Sequence, residues 1–222
     1  MKTNILFILL FPFAISCNPV EEEPTEEIIT EKPMSLYDLE EQFKYHDLTD
    51  FDIDTFDWET RPGNYNELDS TTYKLVWQNI EKPTIGTGYD REYLYSWQNR
   101  DTNFIEFTLL SQDEGSYCDV LTYCIFDKNG KKIDNFMLSA SCGDGGWMFT
   151  SNGKFINKTT FEQLAVESEM AGFDSLDADI EIYEGDSTLT HYTIGTDGKV
   201  NSKEIYKRHF SSKYEDLYPN LQ

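Results

Sequence analysis

The sequence predicts a mainly-β protein: a single antiparallel meander sheet, arranged as a sandwich or a partly open barrel, with one short N-terminal helix. Three observations carry that expectation. Strand-like runs with apolar residues at every second position recur along the chain, the period of a half-buried strand. Asn129-Gly130 joins two such runs, and Asn-Gly between apolar stretches is the strongest short-range hairpin signal. Asn129-Gly130-Lys131, Asn152-Gly153-Lys154 and Asp197-Gly198-Lys199 repeat one turn chemistry at intervals of 23 and 45 residues, the punctuation of a meander.

Residues 1–16 stand apart from that domain. Lys2 supplies a positive start, Ile5 to Phe13 is apolar, and Ala14-Ile15-Ser16 leads into Cys17. The apolar run is too short to cross a hydrocarbon core of about 30 Å, so it reads as a signal peptide and not an anchor helix. Small residues before a cysteine resemble the lipobox of bacterial lipoproteins, with Ala14 where that motif usually has Leu. The resemblance implies cleavage before Cys17 and a lipid on its thiol. Ala-Ile-Ser also satisfies the small-x-small rule of ordinary signal peptidase, which would leave Cys17 a free thiol. Residues 17–33 then carry six Glu and three Pro with no aromatic, a self-repelling tether that stays extended. An acidic stretch after the lipidated Cys is similar to the surface-export signal of lipoproteins of the Bacteroidota. That implies an outer-membrane, lipid-anchored, cell-surface protein; a solvated linker with no address in it is the alternative.

The remaining chain divides into one domain, 34–210, and a tail, 211–222. The full 222-residue chain, with 41 Asp+Glu against 18 Lys+Arg and a formal charge of −23, is a poor partner for nucleic acid or anionic membrane surfaces, which reward clustered Lys and Arg. Aromatics make up 15% of the residues, enough to build a core despite the charge.

Ser35 and Asp38 have capping-box form, and Leu36, Leu39 and Phe43 share a helical face, predicting a short helix to about Tyr45 that docks on the sheet. Asp50 to Asp57 alternates acid and apolar residues. As an EF-hand loop it would need Gly sixth and Glu twelfth, where Thr55 and Arg61 stand, so it reads as an edge strand or loop. Tyr73, Leu75 and Trp77 predict a strand. So do Tyr93, Tyr95 and Trp97, and then Ile105, Phe107 and Leu109. Gln112 to Ser116 leads into the hairpin. Taking Asn129-Gly130 as a two-residue type I′ loop pairs Lys128 with Lys131, Tyr123 with Phe136 and Leu121 with Leu138. The first arm is apolar on both faces and belongs inside the sheet. Ser141 to Gly146 reads as a connection and Trp147-Met148-Phe149 as a short strand. Residues 160–171 satisfy helix and strand rules equally. Ala178 to Tyr183, Leu189 to Ile194 and Lys203 to Phe210 close the meander. This layout resembles the small lipoproteins of the Bacteroidota, a likeness of pattern that brings no catalytic motif with it.

In an oxidising compartment Cys118, Cys124 and Cys142 are candidates for a disulfide. The hairpin register sets Cys118 one residue short of Cys142, so a single bulge would bring the two opposite and allow a bridge. Cys124 is then a buried small hydrophobe. His46, His191 and His209 form no H-E-x-x-H array, no Cys-x-x-Cys exists, and no metal or cofactor site is expected. Glu67-Leu68-Asp69 resembles the opening of the Glu-x-Asp-x-x-Glu strand of jelly-roll β-glucanases, but Thr72 stands where the third acid belongs. No catalytic residue is assigned. Trp58, Trp77, Trp97 and Trp147 are either core or a stacking surface for sugar or protein. Asp69-Ser70-Thr71, Asp174-Ser175-Leu176 and Asp186-Ser187-Thr188 resemble the O-glycosylation motif of Bacteroidota envelope proteins, which implies loop positions. The expected function is non-enzymatic binding of a protein partner, basic by charge complementarity, as an immunity or inhibitory factor. A glycan-binding module using exposed Trp and Tyr is the alternative, and a glycan or peptide hydrolase has least support.

Overall fold

The computed structural model describes residues 34–53, 64–78, 80, 91–101, 103–113, 117–175 and 180–213. The leader, the tether, Cys17 and Trp58 lie outside these. The described chain is mostly strand: β1 (Tyr45–His46), β2 (Asp50–Phe51), β3 (Asn66–Glu67), β4 (Arg91–Gln98), β5 (Phe104–Asp113), β6 (Cys118–Asp127), β7 (Lys132–Asp144), β8 (Trp147–Phe155), β9 (Thr160–Phe173), β10 (Glu181–Ile194) and β11 (Val200–Lys213). These form one sheet that does not close, in the order β1-β4-β5-β6-β7-β8-β9-β10-β11. From β4 onward every neighbour is antiparallel and sequential, as a meander requires. Among the described strands only β1, beside β4, runs parallel to its partner.

Among the described residues two helical elements stand where one was expected. The first is a 3₁₀ helix, Leu36–Gln42, opened by Asp38, whose carboxylate accepts from both Ser35 N–H and Ser35 Oγ–H. Leu36, Leu39 and Phe43 are buried as anticipated. The second, α1 (Ser70–Val76), occupies the stretch read as a Tyr73-Leu75-Trp77 strand. Asp69 decides the outcome: its carboxylate accepts from Thr72 N–H at 2.7 Å and satisfies a helix N-terminal donor. The alternating rings still pack on the sheet, from a helix about two turns long.

The central hairpin keeps its expected pairing in the middle, Thr122 with Met137 and Tyr123 with Phe136, and departs from it at both ends. Near the turn, only Gly130 has a left-handed backbone (φ 81°). Gly130 N–H donates to the Asp127 carbonyl and Asp127 N–H to the Lys131 carbonyl. The turn is therefore a three-residue loop with a glycine bulge, not the two-residue type I′ turn. Asp127 favours it, since its carboxylate also accepts from Asn129 N–H and Lys131 N–H. At the far end Leu138 is an extra residue in β7. It shifts Leu121 opposite Ser139 and brings Cys118 opposite Cys142, where the disulfide forms with Cα atoms 4.1 Å apart.

Other strand boundaries moved for steric reasons. Asn152-Gly153-Lys154 is not a turn: it lies within β8, and a Cβ at Gly153 would overlap the Glu162 carbonyl and the Phe161 ring on β9. Glycine here permits close approach of two strands, and the chain turns later, at 156–159. Residues 160–171 are strand, and the Tyr183 and Leu189 runs are one strand. β11 extends three residues into the stretch assigned to the tail.

β7 pairs with β8 only from Ala140 to Asp144; beyond that, β8 is bordered by β2. The two halves of the sheet separate there and enclose Tyr93, Leu110, Leu121, Tyr123, Phe136, Leu138, Phe161 and Ile194. The Gln163 amide spans the gap, donating to the Met137 and Leu138 carbonyls. The opposite face of β4–β6 is covered by the two helices through Leu36, Leu39, Phe43, Val76, Trp97, Phe107 and Phe126. The sheet is thus buried on both sides at its centre, as the all-apolar first arm implied. Its two edges differ. β4 is capped by β1 and β3, whereas among the described residues nothing pairs with the outer side of β11.

Candidate functional site

The antiparallel register of β9 and β10 sets Glu169 opposite Glu184 and Glu167 opposite Asp186. These positions are two apart on each strand, so all four acids belong to one face. The same face runs back along β9 to Phe161, opposite Tyr192, inside the core. One continuous surface is therefore apolar at one end and acidic at the other, about 27 Å away along the strand. The acidic end forms an open depression of about 360 Å³ that also includes Met170, Ala171 and His209.

Like charges directly opposite each other on a sheet are destabilising. Some of this repulsion is met locally. Lys207 Nζ lies 2.8 Å and His209 Nδ1 3.2 Å from the Asp186 carboxylate, and Trp147 Nε1–H donates to Glu167 at 3.1 Å. The hydrogen bond from Lys207 holds the Asp186 carboxyl below its usual range and raises the lysine in turn. Glu169 and Glu184 have no such partner among the described residues. The sequence signal was available as Glu-x-Glu at 167–169 and Glu-x-Asp at 184–186, but only the strand pairing makes them one patch.

The tryptophans do not converge. Trp97 is core, 3% exposed and stacked on Phe107. Trp77 packs against the same cluster, donates to Glu92 at 2.7 Å and lies under Lys132 Nζ at 3.8 Å. Trp147, half-buried, begins β8 at the acidic end. The aromatic grouping at the surface is instead Tyr45, Tyr65 and Tyr95. Tyr95 lies 5.1 Å from Tyr45 and 5.6 Å from Tyr65, centroid to centroid, and Lys44 Nζ is 4.4 Å from the Tyr65 ring centre. Scanning for tryptophan missed it, because its members come from three separate elements.

Glycoside hydrolysis commonly uses a carboxyl group held protonated beside a second carboxylate. In the depression Asp186 is shifted the opposite way, held low by its hydrogen bond from Lys207. Glu106 is raised, by burial first, but it sits in the core against Tyr123 and Arg100 and not in a cleft. Glu67 pairs with Arg91 at 3.5 Å and Asp69 caps α1, so the glucanase-like pair is structural. His191 pairs with Glu162 at 2.9 Å. Cys124 is buried, and burial pushes its thiol up to about 12, which leaves it inert as a nucleophile. Of the glycosylation-like motifs, Asp186-Ser187-Thr188 is within β10 and not in a loop. Among the described residues no helix is long and apolar enough to cross a membrane. Compared with protein families, curated proteins and solved structures, the chain matches none.

Proposed function

We propose that the chain is a non-enzymatic lipoprotein of the outer membrane, anchored through a lipid on Cys17, whose β domain binds a basic protein partner as an immunity or inhibitory factor. The observation that carries the reading is the depression on β9 and β10, where two acid–acid pairs share one face. A fold gains nothing for itself by opposing like charges. Their repulsion falls when a cationic surface arrives, so the stored cost becomes a contribution to binding. The concave acidic patch bears no exposed row of rings, which favours protein over glycan. Of the four tryptophans, Trp97 is committed to the core and Trp77 to a packed contact.

The test uses the chain from Met34 as bait on intact cells, with Glu167→Gln, Glu169→Gln, Glu184→Gln and Asp186→Asn combined in a second bait. The reading expects a basic protein, captured at low salt and released as the screening length shrinks from about 10 Å at 0.1 M to about 3 Å at 1 M. The neutralised bait should lose it. Recovery of polysaccharide alone, or of the same protein by both baits, would overturn the proposal.

A further inference from the structure

We infer that the faces of Tyr45 and Tyr65, braced from behind by Tyr95, form an open aromatic site for an alkylammonium group, occupied in the free protein by the chain's own Lys44 and exchangeable for a lysine side chain of a basic partner. The partner's basic character rests on the reading above; the site itself rests on geometry. Its three rings come from three elements. Tyr45 is in β1, Tyr65 precedes β3, and both stubs pair with β4. Tyr95 is the extra residue of the β4 bulge between Leu94 and Ser96. A bulge at a sheet edge re-aims one side chain out of the regular alternation. Here it sets Tyr95 against both other rings, near-parallel to Tyr65 at 21° and tilted to Tyr45 at 57°. Tyr65 and Tyr95 also back onto the second core cluster, which fixes their inner sides.

A cation already occupies the group. Lys44 Nζ lies 4.4 Å from the Tyr65 centroid and 5.3 Å from Tyr45, both inside the distance at which a ring face attracts an ammonium ion. Among the described residues no carboxylate lies within ion-pair distance of Lys44, and its side chain is exposed. The resident is therefore held by ring faces alone on a flexible stem, and a guest of the same chemistry competes with it only against the effective concentration that its attachment to the chain confers. All three rings are only half-buried, and the strong negative charge of the chain raises the local concentration of any cation.

The probe is Nα-acetyl-lysine methylamide, followed through the tyrosine ring signals by NMR, with the uncharged norleucine analogue as control. Lys44→Met removes the competing charge and keeps the stem, so affinity should tighten roughly two- to fivefold, the range expected of cation–π contacts at accessible sites. Tyr65→Phe should retain binding, because the ring face is kept, and Tyr65→Leu should lose it. Equal shifts with norleucine, or unchanged affinity in Lys44→Met, would overturn the inference; both readouts use variants that leave every ring of the site in place. A failed titration with charge-dependent partner capture intact removes the aromatic site alone. A working titration with no basic partner captured removes only the earlier reading.

Discussion

Arg100 and Glu106 show how much a single buried residue can set. Arg100 leaves the end of β4 and reaches between the two halves of the sheet, where Nε–H donates to the Tyr123 hydroxyl at 2.9 Å and the guanidinium carbon lies 3.1 Å from the Phe155 ring centre. Replacing it with Ala removes the contact with Phe155 between the halves and one hydrogen bond to Tyr123, whose hydroxyl keeps Glu106 as its other partner, so we expect a loss of about 1–3 kcal/mol in urea unfolding. Glu106 is 2% exposed, and burial raises its pKa above the ordinary value of 4.5 despite the opposing pull of Arg100. The native chain thus keeps a proton that the unfolded chain has already lost. Stability is fullest below about 4.5 and falls as pH rises through the raised value. Glu106→Gln should flatten that fall, and an unchanged slope between about pH 4 and pH 8 would show that the carboxyl titrates elsewhere. None of this was legible in the sequence, where Glu106 reads as the polar side of a half-buried strand. Alternation shows that faces differ; it does not show that a second layer covers the polar one.

At the scale of elements, the hairpin separates two turn chemistries by mutation. Only Gly130 has positive φ, so Gly130→Ala should cost about 1 kcal/mol while Asn129→Ala costs little; a type I′ turn would penalise both. The Cys118–Cys142 bridge closes a loop of 24 residues in sequence separation, and replacing both with Ser should cost about 3 kcal/mol by chain entropy. Cysteine labelling complements this: the native chain from Met34 should take up no alkylating reagent, and one equivalent at Cys124 once unfolded. The bridge was readable because a bulge is the ordinary remedy for a one-residue mismatch in register. The helix at Ser70–Val76 was not, since Tyr73, Leu75 and Trp77 satisfy strand periodicity and the deciding signal is one capping carboxylate at Asp69. Gly153 misled for a related reason: Asn-Gly-Lys looks the same whether glycine serves a turn or the approach of a neighbouring strand.

Across the whole molecule, the meander and its buried centre followed from periodicity and turns, while the acidic patch required knowing which strands adjoin. That patch predicts opposite effects on folding and binding. Glu184→Gln should stabilise the isolated domain by about 0.2–1 kcal/mol and weaken capture of a basic partner; destabilisation would mean the acids serve the fold. The unequal edges have a consequence of another kind. β11 offers fourteen residues of strand on its free side, yet Lys203, Lys207, Arg208 and Lys213 stud it and Ile205 bulges out of register. Such cations make lateral stacking of one molecule on the next self-repelling. If anchored through a lipid as proposed and crowded in two dimensions, the chain would need that protection most, and acetylating these lysines should turn a dispersed population into one prone to filaments.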